Sequence, residues 1–548
     1  MTRWNEHAVD RQARLQAASI YSRGKLVNAR DATALLEAVL RPGDRLCLEG
    51  DNQKQADFLA RALTAVDPAK VRNLHIVQSG VVLAEHLELF DKGIARKLDF
   101  CYSGPQGHAI ARALEQGRIE LGAIHTYPEL FARYFVDLTP KVALIVARQA
   151  DRHGNLYMGP NTEDTPTIAE ATAFKDGIVV AQVNELVDRV PRVDLAADQV
   201  DFIIKSPDPF YMEPLFTRDP ASITETQILM GMMAIRGIYA EYGVQSLNHG
   251  VGFATAAIEL ILPTYAERLG LKGKIATHWV LNPHPTLIPA IERGWVQHVH
   301  SPGAEIGMDA YVSARSDIYF VGHDGELRSN RMLAHNAGHY ACDMFIGSTL
   351  QIDLEGNSST VLTDRIAGFG GAPNLGADAR GRRHPSPTWI KAGQQEATSG
   401  RGRMPRGRKL VVQMVETFGE GLAPSFVEKL DSVTLAERFG LALPPIMIYG
   451  DDVTHIVTED GIANLLLCRN LEEREQAIRG VAGYTEVGRG RDRKVVEALR
   501  QRGVIRHAQD LGINPLDANR RLLAARSIKD LVTWSGGLYE PPAKFRNW

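Results

Sequence analysis

The sequence predicts an α/β protein made of two open-sheet domains in tandem behind an amphipathic N-terminal arm, and three observations lead there. From Asp44 onward short β-rich runs alternate with helical stretches, the pattern of an open sheet covered by helices. The alternation stops at a proline cluster and then resumes. The 548 residues, 44% hydrophobic and 23% charged, supply ordinary globular material for more than one core.

Residues 1–24 set Arg3, Glu6, Asp10, Arg11 and Arg14 among apolar positions at helical spacing, which reads as an arm lying on the domain or on a partner. In the first domain, residues 25–220, the strand candidates are Arg45 to Leu48, Leu74 to Gln78, Leu121 to His125, Val142 to Ala147 and Ile178 to Val183. Pro207, Pro209, Pro214 and Pro220 then fix too many φ angles and remove too many donors for a helix or a central strand, so the boundary falls here. The second domain, residues 221–548, opens with Thr224 and Glu225 on a helix running through Glu241. Its strand candidates are Gln245 to Leu247, Lys274 to Thr277, Ile318 to Val321, Thr349 to Leu354, Leu410 to Val415 and His455 to Val457. No short-period repeat is visible.

Composition excludes several classes. The net charge of −3 gives no whole-chain attraction to nucleic acid or to an anionic membrane. Cys47, Cys101, Cys342 and Cys468 are far apart, without zinc or redox spacing, and fit a reducing cytoplasm. No apolar leader core and no window of about 18 apolar residues occurs, so a cytoplasmic chain without a membrane span is expected. One stretch departs from the rest: residues 377–409 carry a net +7, leaving −10 elsewhere, and with their glycines and prolines read as a loop or lid. Such a basic insertion is either a solvated surface or a docking site for an anionic partner, with Arg401, Arg403, Arg406 and Arg408 as its candidate contacts.

Glycine-rich turns are the strongest chemical signal. Asn248-His249-Gly250-Val251-Gly252-Phe253 lies between a strand and a helix, where bare amides at a helix N-terminus can hold a carboxylate or an oxyanion. Gly368-Phe369-Gly370-Gly371-Ala372-Pro373-Asn374 can build an oxyanion hole from main chain, although either turn can equally be a packing device. A third element, Asp151-Arg152-His153-Gly154-Asn155-Leu156, reads alone as a loop. His335, His339, Cys342 and Asp343 have helical spacing for a metal, but Asn336-Ala337-Gly338 is poor helix material and no metal is expected. Neither a P-loop nor a nucleophile elbow is present.

Together, Val142 to Ala147 leading into Asp151 to Leu156 and Gly159-Pro160, the run Gln351 to Asn357, Gly368 to Gly371 and Val457 to Asn464 resemble, in order, the signatures of the acetyl-CoA hydrolase and CoA-transferase superfamily. The arm, the length and the basic insertion are similar to the alpha subunit of biotin-independent malonate decarboxylase. The resemblance implies two CoA-transferase-like domains and an exchange of acetate for malonate on a carrier-protein thioester. It also implies, as partners, an acyl-carrier-protein subunit and beta and gamma decarboxylase subunits in a hetero-oligomer. No cofactor would be bound by this chain itself, which would act on the carrier's phosphoribosyl-dephospho-CoA group.

CoA transferases of this superfamily place a nucleophilic glutamate after the first glycine turn, whereas here Lys274 to Trp279 occupies the stretch, with His278 near the glutamate position. That departure favours direct attack of malonate on the acetyl thioester through a mixed anhydride. The catalytic candidates are His278, Gly370, Gly371 and Ala372, and the substrate-binding candidates are Asn248, Gly250, Val251, Gly252, Phe253 and Asn374. Two alternatives stand beside this reading. A CoA-transferase or acetyl-CoA hydrolase would use a glutamate such as Glu305 or Glu259, and a scaffold would only organise a decarboxylase assembly.

Overall fold

The computed structural model describes residues 3–50, 53–400, 405–546 and 548. The chain forms two compact units. The first comprises Met1–Leu215, Ser329–Met332 and Thr363–Gly371, and the second comprises Phe216–Arg328, Leu333–Leu362 and Ala372–Trp548. The division thus falls inside the proline cluster, and the second half of the chain contributes two short segments to the first unit. The arm is a helix, Arg3–Ala18, held on the first unit by Arg14, which is 5% exposed and pairs with Asp44, and by Arg11, which reaches Asp201 at 2.5 Å.

The sheet of the first unit is built from β1 (Ser22–Arg23), β2 (Leu26–Val27), β3 (Arg45–Leu48), β4 (Leu74–Gly80), β5 (Ala95–Tyr102), β6 (Glu120–Ile124), β7 (Val142–Asp151), β8 (Leu156–Tyr157), β9 (Ile178–Val187) and β10 (Phe202–Lys205). Its order is β1-β2-β10-β9-β7-β3-β4-β5-β6, with β8 beside β7. Pairing is parallel except for β1 with β2 and β8 with β7. Successive strands grow outward in both directions from the β3/β7 pair, the switch point of a doubly wound sheet.

In the second unit the strands are β11 (Ser246–His249), β12 (His278–Val280), β13 (His298–His300), β14 (Met344–Ser348), β15 (Gln351–Ile352), β16 (Ser358–Ser359), β17 (Leu410–Met414), β18 (His455–Val457), β19 (Ile462–Asn464) and β20 (Ile505–Arg506). The sheet order β13-β12-β11-β14-β17-β18-β19-β20 places its switch point between β11 and β14, while β15 and β16 form a separate ribbon. From β13 to β18 the strands are parallel.

The two units share a device that sequence reading missed. Asp151-Arg152-His153-Gly154-Asn155 and Asp353-Leu354-Glu355-Gly356-Asn357 have the same form, D-x-x-G-N. In each the aspartate accepts from the amides two and four residues on and from the asparagine side chain, at 2.9–3.0 Å. In each the glycine has positive φ, 91° and 86°. One turn links β7 to β8 and the other β15 to β16, so a motif read as a loop is a repeated hairpin closure.

Several expected elements moved. Lys274 to Thr277 is not a strand because Ala276 adopts φ 55°, and pairing begins only at His278. Ile318 to Val321 makes isolated bridges only. The central strand β14 was unforeseen because it is short and contains Gly347. β5 was hidden by its charges, of which Asp99 is bonded inside to His75 and His125 at 2.7 Å each. The basic stretch also differs from a plain loop. Pro387–Thr398 is a helix capped by Ser386, and Trp389, 1% exposed, donates its indole N–H to Cys342 O at 3.0 Å.

Candidate functional site

In open α/β sheets ligands bind outside the carboxyl ends of the strands at the switch point. The first unit fills that place with its own side chains. Glu49, immediately after β3, accepts from Val146 N at 2.6 Å and from the Thr165 hydroxyl, and lies 3.4 Å from buried Lys54. The second unit leaves the place to backbone. β11 is followed by Gly250, where a Cβ would lie 2.9 Å from Gly347 Cα of the adjacent β14, and a Cβ on Gly252 would lie 2.9 Å from Ser348 Oγ. Gly250 lets the two strands approach more closely than any side chain permits, whereas the neighbour of Gly252 is a serine hydroxyl.

The turn is pinned by Gly250 N donating to Ile346 O at 2.7 Å and by Thr255 Oγ1 donating to Gly250 O at 2.7 Å. Gly252 caps the helix Phe253–Ile261. Among the described residues, the amides of Val251, Gly252 and Phe253 donate to no carbonyl or side chain outside that helix, whereas the Gly250 amide is already used. Three N–H groups at a helix N-terminus form a natural anion cradle. The Arg218 guanidinium stands 5.9 Å from the Phe253 ring centroid and adds positive charge there.

Behind the turn lies a buried polar group that sequence reading noticed only in part. Glu259, on the same helix, meets His249 Nδ1 at 2.9 Å and His284 Nδ1 at 3.1 Å through Oε1, and the Thr286 hydroxyl donates to Oε2. Burial alone would push this carboxyl up, but His284 and His249 hold it well below the usual carboxylate range. Burial keeps His249 below the ordinary imidazole range, and its Nε2 meets the Tyr239 hydroxyl at 2.6 Å.

The other expected residues occupy varied places. His278 pairs in register with Ser246, at the amino end of β12, so it stands at the edge opposite the glycine turn. The side groups that follow the carboxyl ends of β12 and β13 are Asn282, His284, Ser301 and Glu305. The four-residue displacement of β12 is what hid Asn282 and His284, whereas Glu305 stood among the sequence candidates. Asn248 donates its side-chain N–H to Val280 O at 2.5 Å, so that donor serves the sheet. In the first unit Gly370 donates to Cys101 O at 2.9 Å, and of the neighbouring main chain the Gly371 amide makes no such bond among the described residues. Ala372 and Asn374 lie in the short helix Ala372–Leu375, with Asn374 O bonded to His339 Nδ1 at 2.9 Å.

Arg401 and Arg403 lie outside the described residues. Arg408 is 2% exposed and is bonded to Asp378 at 3.0 Å and to Asp451 O at 2.5 Å, while Arg406 reaches Asp378 at 2.6 Å. Arg408 therefore braces the insertion from inside instead of facing a partner. Asp343 accepts from Gln245 N, Ser246 N and Ser386 Oγ, and no metal-binding group of three His, Cys, Asp or Glu occurs among the described residues. Both rival nucleophiles are buried and fully bonded: Glu259 as above, Glu305 by Phe216 N at 3.1 Å, Thr217 N at 3.0 Å and Thr217 Oγ1 at 2.7 Å. Among the described residues no helix is long and apolar enough to cross a membrane.

Comparison with known proteins agrees with this architecture. Residues 3–548 match the family model described as malonate decarboxylase, alpha subunit, transporter. The chain is 62% identical over 548 residues to a Malonomonas rubra protein named acetyl-S-ACP:malonate ACP transferase, covering 100% of this chain and 99% of that one. A solved Pseudomonas malonate decarboxylase hetero-tetramer in complex with malonate contains a chain 55% identical, with TM-score 0.96 and 100% coverage of both chains. An acyl-CoA transferase from Escherichia coli O157:H7 matches at 15% identity with TM-score 0.52, covering 81% of this chain and 88% of that one, which establishes the CoA-transferase-like fold.

Proposed function

The chain belongs to the malonate decarboxylase alpha-subunit family, and from that premise we propose that it is an acyl-carrier-protein transferase. It converts acetyl-S-carrier protein and malonate into malonyl-S-carrier protein and acetate. The full-length identity to a transferase of that name carries the reading. The acyl carrier protein and the beta and gamma decarboxylase subunits are the partners it requires, in the cytoplasm, and the thiol that changes acyl group belongs to the carrier's phosphoribosyl-dephospho-CoA arm.

We infer direct exchange. A malonate carboxylate oxygen attacks the acetyl carbonyl, the C–S bond breaks and the thiolate leaves, giving an acetyl-malonyl anhydride. The thiolate then attacks the malonyl carbonyl, the anhydride C–O bond breaks and acetate departs. The amides of Val251 to Phe253 hold the malonate carboxylate and the oxyanions that develop beside it, each well-placed donor being worth about 3 kcal/mol. The burial of Glu259 and Glu305, with both oxygens of each already bonded, supports a route without a glutamyl thioester.

A single turnover with malonate labelled with ¹⁸O in its carboxylates tests both steps. Direct exchange puts one labelled oxygen into the first acetate released and one acyl group onto the carrier. Unlabelled acetate in the first turnover, with a hydroxylamine-sensitive glutamyl adduct, requires the covalent route. Transfer of labelled malonate to free CoA as fast as to the carrier would instead identify a CoA transferase.

A further inference from the structure

Three neighbouring strands of the second unit bring buried polar atoms without a hydrogen-bond partner, among the described residues, to one edge of the sheet. They are Asn248 Oδ1 at the end of β11, His284 Nε2 four residues beyond β12 and Ser301 Oγ just beyond β13. All three residues are at least nine-tenths buried. An orphaned buried polar atom is costly, and folded proteins keep few of them without a use. The three line the same carboxyl edge as the glycine turn.

His284 is the most committed of them. Its Nδ1 lies 3.1 Å from Glu259 Oε1, and its ring stacks on Phe216 with centroids 5.1 Å apart. Glu259 is ionised, so both imidazoles around it present an N–H through Nδ1. For His249 the remaining nitrogen is occupied by the Tyr239 hydroxyl. For His284 it is not. Glu259 therefore fixes the His284 ring and leaves Nε2 turned away from it, where an arriving carboxylate and Glu259 would between them hold a proton on each ring nitrogen in a pair of charge-assisted hydrogen bonds. The same Glu259 oxygen is shared with His249, the residue next to Gly250, which ties His284 to the anion cradle of the turn.

Resting on the transferase reading above, we propose that His284, together with Ser301 beyond the neighbouring strand β13, is the subsite for the second carboxylate of malonate, the one that does not react, and that Glu259 is its positioning residue. Only malonate and the malonyl group carry that carboxylate. Acetate and the acetyl group engage the amide cradle alone. The subsite thus separates a dicarboxylate from a monocarboxylate, which amides at one helix end cannot do.

The test compares two reactions of the full-length chain with purified acetyl-S-carrier protein: transfer to labelled malonate, and exchange of labelled acetate into the acetyl thioester. In His284→Ala, kcat/KM for malonate should fall by about 10- to 100-fold, mostly through KM, with acetate exchange within about twofold of the parent. Glu259→Gln should show the same selectivity in weaker form. His284→Gln, which retains a donor and preserves volume, should recover part of the malonate activity and carries the test if the alanine variant does not fold. Equal losses in both reactions, or malonate transfer unchanged, overturn the subsite while leaving the transferase intact. A parent chain active in neither reaction overturns the transferase reading and the subsite with it.

Discussion

Glu305 follows β13 into the interior, where burial pushes its carboxyl up to about 7 from the ordinary 4.5. The carboxyl accepts three hydrogen bonds from Phe216 and Thr217, yet these do not offset its desolvation. Between the unfolded and folded values the native state binds the extra proton, so stability is highest below about pH 4.5 for this group and falls as pH rises to about 7, by about 3 kcal/mol in all. Urea unfolding of the parent and of Glu305→Gln at pH 5.5 and pH 8 should therefore show a steeper loss in the parent. Parallel slopes would mean that the carboxyl ionises without penalty. At this scale the sequence was informative where backbone mattered and misleading where side chains mattered. Gly250 is legible because only a missing Cβ permits the approach to the Gly347 backbone. His284 was not, since finding it required knowing where β12 starts, and the left-handed Ala276 that delays the strand leaves no mark in hydrophobic pattern.

The basic stretch 377–409 shows the same limit for an element. Its charge count suggests a surface, but Asp378 is buried and gathers Arg406, Arg408 and the Lys409 amide, while Lys409 Nζ donates to Gly338 O and Leu375 O at 2.6 and 2.5 Å. Counted charge cannot distinguish a solvated arginine from one folded back on its own carboxylate. Asp378→Ala takes the carboxylate away from three guanidinium groups, Arg382, Arg406 and Arg408, the first and last with buried side chains, and should cost about 3–5 kcal/mol. Amide exchange in the helix Pro387–Thr398 should rise first, because Trp389 accepts from Arg408 N at 2.9 Å and shares that anchor. Exchange in this helix identical to the parent would show that Trp389 alone holds it. Arg408→Glu, which sets a carboxylate beside Asp378, is expected to lower the melting temperature in the same way, and is therefore a poor probe of carrier docking.

For the whole molecule, the alternation of strands and helices and the proline break were enough to read two open sheets, but not the way the chain is shared out. Ser329–Met332 and Thr363–Gly371 belong to the first unit although they follow its last strand by more than a hundred residues. No local signal marks such a return, because short segments that complete a distant core have neither periodicity nor length. Their contribution is specific. Ser103 donates through N to Ala367 O at 2.9 Å and through Oγ to Ile366 O at 2.6 Å, and Phe369 N donates to Cys101 O at 2.7 Å at the end of β5. Arg331 pairs with buried Glu163, lies 3.8 Å from Asp164 and packs 4.5 Å over the Tyr127 ring. A fragment ending at Leu215 keeps every strand of the first sheet but loses Arg331, leaving Glu163 and Asp164 as buried carboxylates without their cation, at a cost of about 3–5 kcal/mol against a typical domain stability of about 5–15 kcal/mol. Expressed alone, residues 1–215 should unfold at much lower temperature than the full chain and with a broadened transition. Glu163→Gln combined with Asp164→Asn, which removes the uncompensated charge, should restore part of the loss to the fragment while destabilising the full chain, where Arg331 then loses both of its carboxylates. A fragment as stable and cooperative as the full chain, indifferent to those substitutions, would mean that the returning segments only lie on a unit already complete.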